Sequence, residues 1–486
     1  MKKLDFLLLD ERINTSSRIL EDFCFQNIKE TIFPGEDELY NNFCDVLMHP
    51  SYDINTLQKR QLIFSDFCEY SHLTEQIYSI CSKAEDFKIY TQVSLYRSMS
   101  PQERLKNYIE QTIPLIIEMD NLALLFKHKS FKSEILRKLK FESVTPLIEE
   151  IRALGKVINT QCYELKVNFS EGFKLRTAEI VNTEKVSIQF KTKDSKNPVK
   201  YDENNIYFYG FSMTGFVAEE LYKTSIQNLC SIVSQINSAI LEIFRELKKA
   251  AGFFIAAMKI MYYLDTIRFP YCIPELSDDI SFGIEAKGLY DLSLTAYEHE
   301  GNITVNSFDC TESNILIVTG LNSGGKTTFL RSVGIAQLFA QAGLFVPAEH
   351  YKCSCFCGIL THFPTEEDSK MDFGKLADEL TRLRKDFPII TRGGLALFNE
   401  SFSTTTTREG AEIAVDVLRA LSQTDATVIF VTHLYELAAN IDKLNSCLCN
   451  GIKAVSMVTE YKENGTRTYK IIKGQPIEDL HATELF

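Results

Sequence analysis

The spacing of apolar side chains changes character along the chain. Over residues 1–160 they recur every three or four positions, as in 57–67, which is the spacing of amphipathic helices. Between 161 and 215 apolar and polar residues alternate, which predicts strands. The helical spacing then returns and stops near Pro270, because proline cannot continue a helix. We therefore expect a helical first part (1–160), a small β-rich insert (161–215) and a returning helical arm (216–275).

From residue 276 onward, short and wholly apolar runs are each accompanied by a helical pattern. These runs occupy residues 315–319, 395–398 and 427–431. Buried strands that alternate with helices favour an α/β fold with a largely parallel sheet. Residues 276–486 are therefore predicted to form an α/β domain.

The segment after the first of these strands carries the strongest chemical signal. Residues 320–327 read Gly-Leu-Asn-Ser-Gly-Gly-Lys-Thr and match the phosphate loop that lies between a strand and a helix. Glycines allow successive N–H groups to face phosphate oxygens, and the helix N-terminus favours negative charge. Lys326 would reach the β- and γ-phosphates, and the Thr327 hydroxyl would bind Mg²⁺. The predicted nucleotide-binding residues are Gly320, Asn322, Ser323, Gly324, Gly325, Lys326, Thr327 and Thr328.

Two further strand ends carry groups that suit ATP hydrolysis. Asn399 and Glu400 follow the apolar run 395–398, where the metal ligand and the general base of such ATPases lie. Asn399 can hydrogen-bond a metal-bound water but brings no negative charge, so Thr327, Asn399 and Glu400 are the predicted metal group. His433 follows the strand 427–431 and could contact the γ-phosphate, although a lone histidine is more often structural. The predicted catalytic residues are Lys326, Glu400 and His433.

Four blocks of sequence resemble the MutS family and occur in the family's order. They are residues 317–331, 340–348, 399–410 and 431–437, and residues 42–60 more faintly resemble the start of the family's lever domain. The resemblance implies an ABC-type α/β P-loop ATPase, preceded by a mostly α-helical lever that carries a small β-rich clamp. It also implies ATP and Mg²⁺ as cofactors, and a homodimer that forms or tightens with ATP.

The same resemblance identifies positions at which this chain departs from the family. Ile303 stands near the place of an aromatic residue that packs on adenine, so Ile303 is the predicted base contact, with weaker stacking than an aromatic ring would give. The segment that completes the neighbouring site across a dimer lacks the family's Ser-Thr-Phe pattern, and keeps only Phe373 and a displaced Ser369. Together with Asn399, these departures predict slow hydrolysis.

The length of the chain also bears on its expected function within this family. There is no room before the lever for the mismatch-recognition and connector domains, and no nuclease-like domain follows before Phe486. On the family pattern we therefore expect a protein that does not itself read mismatches.

Charge restricts where nucleic acid could bind. The net charge of −13 gives no general attraction to a phosphate backbone, so binding would need a local basic patch. The β-rich insert offers one, although a solvated lysine-rich surface is the alternative explanation. The predicted nucleic-acid contacts are Lys185, Lys191, Lys193, Lys196 and Lys200.

Composition favours a cytoplasmic protein without a membrane partner. The thirteen cysteines are odd in number and scattered, as reduced thiols would be. Asp5 and Asp10 interrupt the apolar start of the chain, so no signal peptide is predicted, and no apolar run is long enough to predict a transmembrane segment.

Three functions remain open at this point. The leading hypothesis is a MutS-like ATPase that couples ATP binding and slow hydrolysis to the binding of branched, looped or otherwise structured DNA. The second is an ATPase that acts on ribosomes or RNA, as the second bacterial MutS subfamily suggests. The third is a nucleotide-gated protein scaffold in which hydrolysis is nearly vestigial.

Overall fold

The fold is known from a computed structural model, which describes residues 13–86, 99–126, 129–134, 136, 149, 152, 164–170, 174–182, 215–297, 303–364, 374–462 and 466–476. These residues form two compact units. The first unit draws on residues 1–75, 131–136 and 249–486, and the second on 76–130 and 137–248. The unit with the phosphate loop therefore includes segments at both ends of what the sequence analysis treated as the lever.

Helices dominate the N-terminal part of the chain and one long helix returns from it. Among the described residues, the helices up to residue 267 are α1 (Ile19–Asp22), α2 (Phe25–Ile32), α3 (Asp37–Leu47), α4 (Ile54–Glu69), α5 (Ser71–Asp86), α6 (Pro101–Phe126) and α7 (Gly215–Ile267). Helices α5 and α7 each contribute residues to both units.

Strands and helices alternate in the C-terminal part, as the apolar runs predict. The strands are β3 (Glu275–Ser277), β4 (Ile284–Leu289), β5 (Asn306–Asp309), β6 (Ile315–Thr319), β7 (His350–Ser354), β8 (Ile359–His362), β9 (Leu395–Asn399), β10 (Thr427–Val431), β11 (Ala454–Tyr461) and β12 (Arg467–Lys473). The helices are α8 (Leu292–Tyr297), α9 (Lys326–Gln341), α10 (Lys375–Asp386), α11 (Thr407–Ser422), α12 (Tyr435–Ala439) and α13 (Ile441–Cys447), with a short 3₁₀ turn at Phe387–Ile389.

A six-stranded sheet forms the centre of this domain. Its strand order is β12-β11-β6-β10-β9-β8, and only the β11–β12 pair is antiparallel. The three predicted strands β6, β9 and β10 are adjacent and fully buried, which explains why they contain apolar residues on both faces. The predicted α/β domain with a largely parallel sheet is confirmed. A second sheet of four strands has the order β3-β7-β4-β5.

The N-terminal segment packs onto the edge of the central sheet. Thr15 forms a parallel bridge with Ile359 of β8. The Ser16 hydroxyl accepts a hydrogen bond from the N–H of Thr361 at 2.8 Å, and the backbone N–H of Ser16 donates to the carbonyl of Ile359. These contacts join residues more than 340 positions apart, which explains why local sequence patterns did not predict them.

The second unit contains a pair of helices and a β-hairpin. Leu105 and Ile116 of α6 belong to the same buried cluster as Ile226 and Val233 of α7. The hairpin pairs β1 (Glu164–Ser170) with β2 (Lys174–Asn182) in antiparallel fashion. The predicted insert thus contains strands where the structure describes it, while its predicted lysine contacts lie outside the described residues. These are Lys185, Lys191, Lys193, Lys196 and Lys200.

Helix α7 is more apolar than the sequence analysis expected. By length and composition, its segment Ile226–Ile267 could cross a membrane, although 56% of the most apolar window is buried inside the protein. Phe253 stacks on Phe43 at 5.7 Å and Phe254 stacks on Phe64 at 6.2 Å. The expectation that no segment is apolar enough was therefore wrong, and core packing accounts for much of the apolar surface.

Candidate functional site

The predicted functional residues follow three neighbouring strands that end at the same edge of the sheet. In the ladder, Val431 at the end of β10 pairs with Asn399 at the end of β9 on one side, and with Val318 of β6 on the other. Because parallel strands end together, the segments that follow them converge. This brings Glu400 and His433 beside the loop that begins at Gly320.

The loop 320–325 has the tight curvature that its glycines predict. Gly320 has φ 146°, and a Cβ added there would lie 2.1 Å from the Oγ1 of Thr459 on β11. Gly325 has φ 89° and caps helix α9, in a left-handed conformation that favours glycine. The sequence therefore places glycine where a side chain would clash or strain the backbone. Of the other predicted contacts, Asn322 and Ser323 are exposed, and Thr328 is half-buried.

The side chain of Lys326 is folded into the loop. Its ammonium group donates hydrogen bonds to the carbonyls of Gly320 and Leu321, both at 2.9 Å. Burial lowers the pKa of Lys326, and the nearby Glu400 carboxylate partly opposes this shift. The two hydrogen bonds hold the amino group of Lys326 at the loop where phosphate oxygens would bind.

Thr327 and Asn399 form a direct contact between helix α9 and strand β9. The Thr327 hydroxyl donates to the Oδ1 of Asn399 at 3.0 Å. Hydroxyl and amide oxygens are hard ligands, and two oxygens bound side by side to Mg²⁺ at about 2.1 Å lie about 3 Å apart. The pair therefore fits a magnesium ion in ligand type and spacing. It brings no negative charge, which leaves Glu400 as the nearby anion among the three predicted metal residues.

Glu400 and His433 form a hydrogen-bonded pair. The Nε2 of His433 lies 2.9 Å from Oε1 of Glu400. This hydrogen bond lowers the pKa of Glu400, against the effect of burial, and the charges of His433 and Lys326 lower it further. Glu400 is therefore ionised at neutral pH and can accept a proton. The two residues meet because the N–H of Glu400 bonds to the carbonyl of Val431, two positions before His433.

An aromatic residue that the sequence analysis missed lies beside the loop. Tyr469 of β12 is 46% exposed, and its carbonyl oxygen and Cβ would be 3.3 and 3.4 Å from a Cβ added at Gly325. It also has a left-handed backbone, with φ 59°. Asn306 fixes this strand, because its amide donates to the carbonyl of Tyr469 and accepts from the N–H of Ile471. The aromatic tyrosine ring is a candidate surface for a nucleotide base.

Ile303, the predicted base contact, lies close to the same strand. It is half-buried, and the hydroxyl of the next residue, Thr304, donates to the carbonyl of Thr468 at 3.2 Å. Ile303 is thus next in sequence to a residue that bonds to the strand containing Tyr469. The two predicted trans-site residues, Ser369 and Phe373, lie outside the described residues.

Comparison with known proteins places the site in a family context. The model of MutS domain V matches residues 316–480. The chain is 28% identical over 259 residues to the DNA mismatch repair protein MutS of Thermotoga maritima, a match that covers 53% of this chain and 30% of the relative. It is 30% identical over 207 residues to the human MutS protein homolog 4, a match that covers 42% of this chain and 22% of the relative.

A third relative matches a shorter segment. The chain is 31% identical over 168 residues to Endonuclease MutS2 of Lachnospira eligens, covering 34% of this chain and 20% of that protein. In all three comparisons the match spans less than one third of the relative's length. The shared region in each is therefore a part of a longer protein.

Proposed function

We infer the function of this protein from its family, since residues 316–480 make the chain a member of the MutS family through its domain V. We propose that it is an ATPase that couples ATP binding and slow hydrolysis to the binding of structured DNA. The observation that carries this proposal is that the Glu400–His433 pair lies close to Lys326 of the phosphate loop. ATP binding and proton transfer are thereby combined in one site.

Binding of ATP is supported by the loop 320–325 and by Lys326. The backbone N–H groups of the loop and of the first turn of α9 would receive the phosphates. The ammonium of Lys326 would exchange its bonds to the carbonyls of Gly320 and Leu321 for phosphate oxygens. Tyr469, with Ile303 beside it, would contact the base. Magnesium, held by Thr327 and Asn399, would neutralise charge on the phosphates.

Hydrolysis is assigned to Glu400 and His433. The ionised Glu400 would accept a proton from the attacking water, and the hydrogen bond from His433 would hold the carboxylate in one orientation. In this proposal His433 also contacts the γ-phosphate. We propose slow turnover because Asn399 supplies no charge to the cation that it shares with Thr327.

A homodimer that forms or tightens with ATP is part of the proposal. In this account the segment with Ser369 and Phe373 completes the site of the second protomer. Glu400→Gln keeps the shape of the side chain but removes the base, so it should retain ATP and accumulate a nucleotide-bound dimer. Size-exclusion chromatography with light scattering, with and without ATP, tests this. A monomer under all conditions would contradict the dimer.

DNA is the proposed macromolecular ligand. The proposed location of the protein is the cytoplasm. The support is the family relationship together with the lysines of the insert, which would contact the backbone. The test measures ATP hydrolysis and binding against duplex, branched and looped DNA, single-stranded RNA and ribosomes at two salt concentrations. Stimulation by branched or looped DNA with affinity that falls as salt rises supports the proposal. Co-sedimentation with ribosomes favours an RNA machine instead, and ATP binding with neither response favours a protein scaffold.

A further inference from the structure

A sharp turn follows the proposed general base, and it contains two residues in an unusual conformation. Glu400 has φ 51° and Phe402 has φ 63°, although neither is glycine. The left-handed region is sterically unfavourable for such residues, so the surrounding structure must hold the turn in place. The contacts of this turn therefore determine where the Glu400 carboxylate points.

One end of the turn is held by hydrophobic packing. The ring of Phe402 is fully buried and lies 6.3 Å from the ring of Phe430 on β10. It also stacks at 6.0 Å on the ring of His362, at the end of β8. Ser401 lies between Glu400 and Phe402 in the turn, and its hydroxyl oxygen is 2.7 Å from the Nδ1 of His362. Burial lowers the pKa of His362 to about 4, so the ring is neutral at physiological pH.

The backbone of the turn is held at Glu400 by the carbonyl of Val431, and at Phe402 by a carboxylate from helix α10. Oε1 of Glu379, on α10, accepts a hydrogen bond from the N–H of Phe402 at 2.8 Å. Its second oxygen accepts a weaker bond from the hydroxyl of Thr404 at 3.4 Å. The Glu379 side chain is 13% exposed, which protects these bonds from competing water. The bond to Phe402 is charge-assisted and so stronger than a bond between neutral groups.

Helix α10 is itself anchored, so the Glu379 carboxylate is held in place. Leu383, one turn further along the helix, is buried in the core of the domain. The guanidinium of Arg382 donates to the carbonyl of Phe363, immediately after β8. The chain therefore uses α10 as a support from which Glu379 reaches the turn after β9.

We propose that Glu379 is a positioning residue for ATP hydrolysis, which sets the orientation of Glu400 by holding the N–H of Phe402. Glu379 does not touch the nucleotide in this account, and it acts through the turn 400–402. The inference rests on the proposed ATPase function, which makes Glu400 the base. It predicts a defect in turnover rather than in nucleotide binding.

The experiment compares Glu379→Ala with Glu379→Gln in the full chain. Alanine removes the acceptor, whereas glutamine keeps an oxygen for the Phe402 N–H and loses only the charge. For the alanine variant we expect kcat to fall by about 10- to 100-fold, since a misplacement of 1 Å can cost on the order of 100-fold. The Kd for ATP should stay within about twofold, because Glu379 is not a ligand. The glutamine variant should recover most of the turnover.

Lys385→Ala provides a matched control, because Lys385 is exposed on the same helix. It should leave kcat and Kd unchanged. If Glu379→Ala also leaves kcat unchanged while the wild type turns over, the positioning role is wrong and the proposed function stands. If Glu379→Ala instead loses ATP binding together with its cooperative unfolding transition, the residue is merely structural and the inference is overturned.

A second measurement does not depend on hydrolysis. Hydrogen exchange of the peptide that covers residues 400–405 should lose protection in Glu379→Ala and keep it in Glu379→Gln. If the wild type hydrolyses no ATP under any condition, the proposed function fails and the positioning role in hydrolysis fails with it, and exchange then shows only whether Glu379 holds the turn. Unchanged protection in Glu379→Ala would overturn that role.

Discussion

The hydroxyl of Thr327 donates a hydrogen bond to the amide oxygen of Asn399 over 3.0 Å, and so joins the phosphate-loop helix to the end of strand β9. This contact combines the two residues that fit a magnesium ion. Asn399 is buried and neutral, so its position beside Thr327 is set by hydrogen bonding and not by charge. The consequence for catalysis can be tested directly.

Asn399→Asp should strengthen magnesium binding and raise turnover. Two unit charges 4 Å apart attract each other by about 4 kcal/mol at an effective dielectric constant of 20. A tenfold lower Mg²⁺ concentration for half-maximal activity corresponds to only about 1.4 kcal/mol. We expect at least a tenfold decrease in that concentration. The measurement is the ATPase rate as a function of Mg²⁺ concentration, with Asn399→Ala as the control that removes the oxygen. Unchanged turnover in Asn399→Asp would rule out the missing charge as a limit on the rate of hydrolysis.

The pair of Glu400 and His433 predicts the acid side of the pH profile. The His433 hydrogen bond is the largest cause of the lowered pKa of Glu400. A base with a lowered pKa is ionised above that pKa, so its activity is lost only as the pH falls through it. In the wild type this loss should occur below the ordinary glutamate value of 4.5. His433→Ala should therefore move the acid limb of kcat to higher pH.

His433→Asn serves as the control for this experiment, since its amide can still donate to Glu400. It should shift the acid limb less than His433→Ala does. Circular dichroism at each pH separates loss of activity from unfolding. An acid limb in the same place for all three proteins would show that His433 does not govern the ionisation of Glu400.

Tyr469 should contribute to affinity for ATP through its ring. Stacking of a base on an aromatic side chain is worth about 1–3 kcal/mol. Tyr469→Ala should therefore raise the Kd for ATP by about 5- to 150-fold, while Tyr469→Phe keeps the ring and most of the affinity. Fluorescent-nucleotide titration measures both variants. Tyr262→Ala, which removes another exposed tyrosine, should have no effect. Equal affinity in Tyr469→Ala and the wild type would exclude a base contact.

The sequence predicted those parts of the site whose functional residues lie within a few positions of one another along the chain. The loop 320–327, the strand end at Asn399 and the pair Thr432-His433 each carry their signal within a few residues. Their convergence follows from parallel strands that end at one edge of a sheet. These features could therefore be derived before the structure was known.

Residues that act across long separations could not be predicted in the same way. Tyr469 reaches the loop from a strand more than 140 positions later, and Glu379 reaches the turn at Phe402 from a separate helix. Ser16 joins the edge strand β8 through contacts at a separation of 345 residues. Apolar periodicity shows which face of an element is buried, but it does not show which other element covers that face.

The proposed ATPase function depends first on the loop around Lys326, which would bind a nucleoside triphosphate with its magnesium ion. The most direct measurement is isothermal titration calorimetry of purified wild-type protein and of Lys326→Ala with ATP and Mg²⁺. We expect saturable binding by the wild type and the loss of tight binding in Lys326→Ala, because the variant lacks the ammonium that would contact the β- and γ-phosphates. Absence of ATP binding by folded wild-type protein, or equal affinity in the variant, would contradict it.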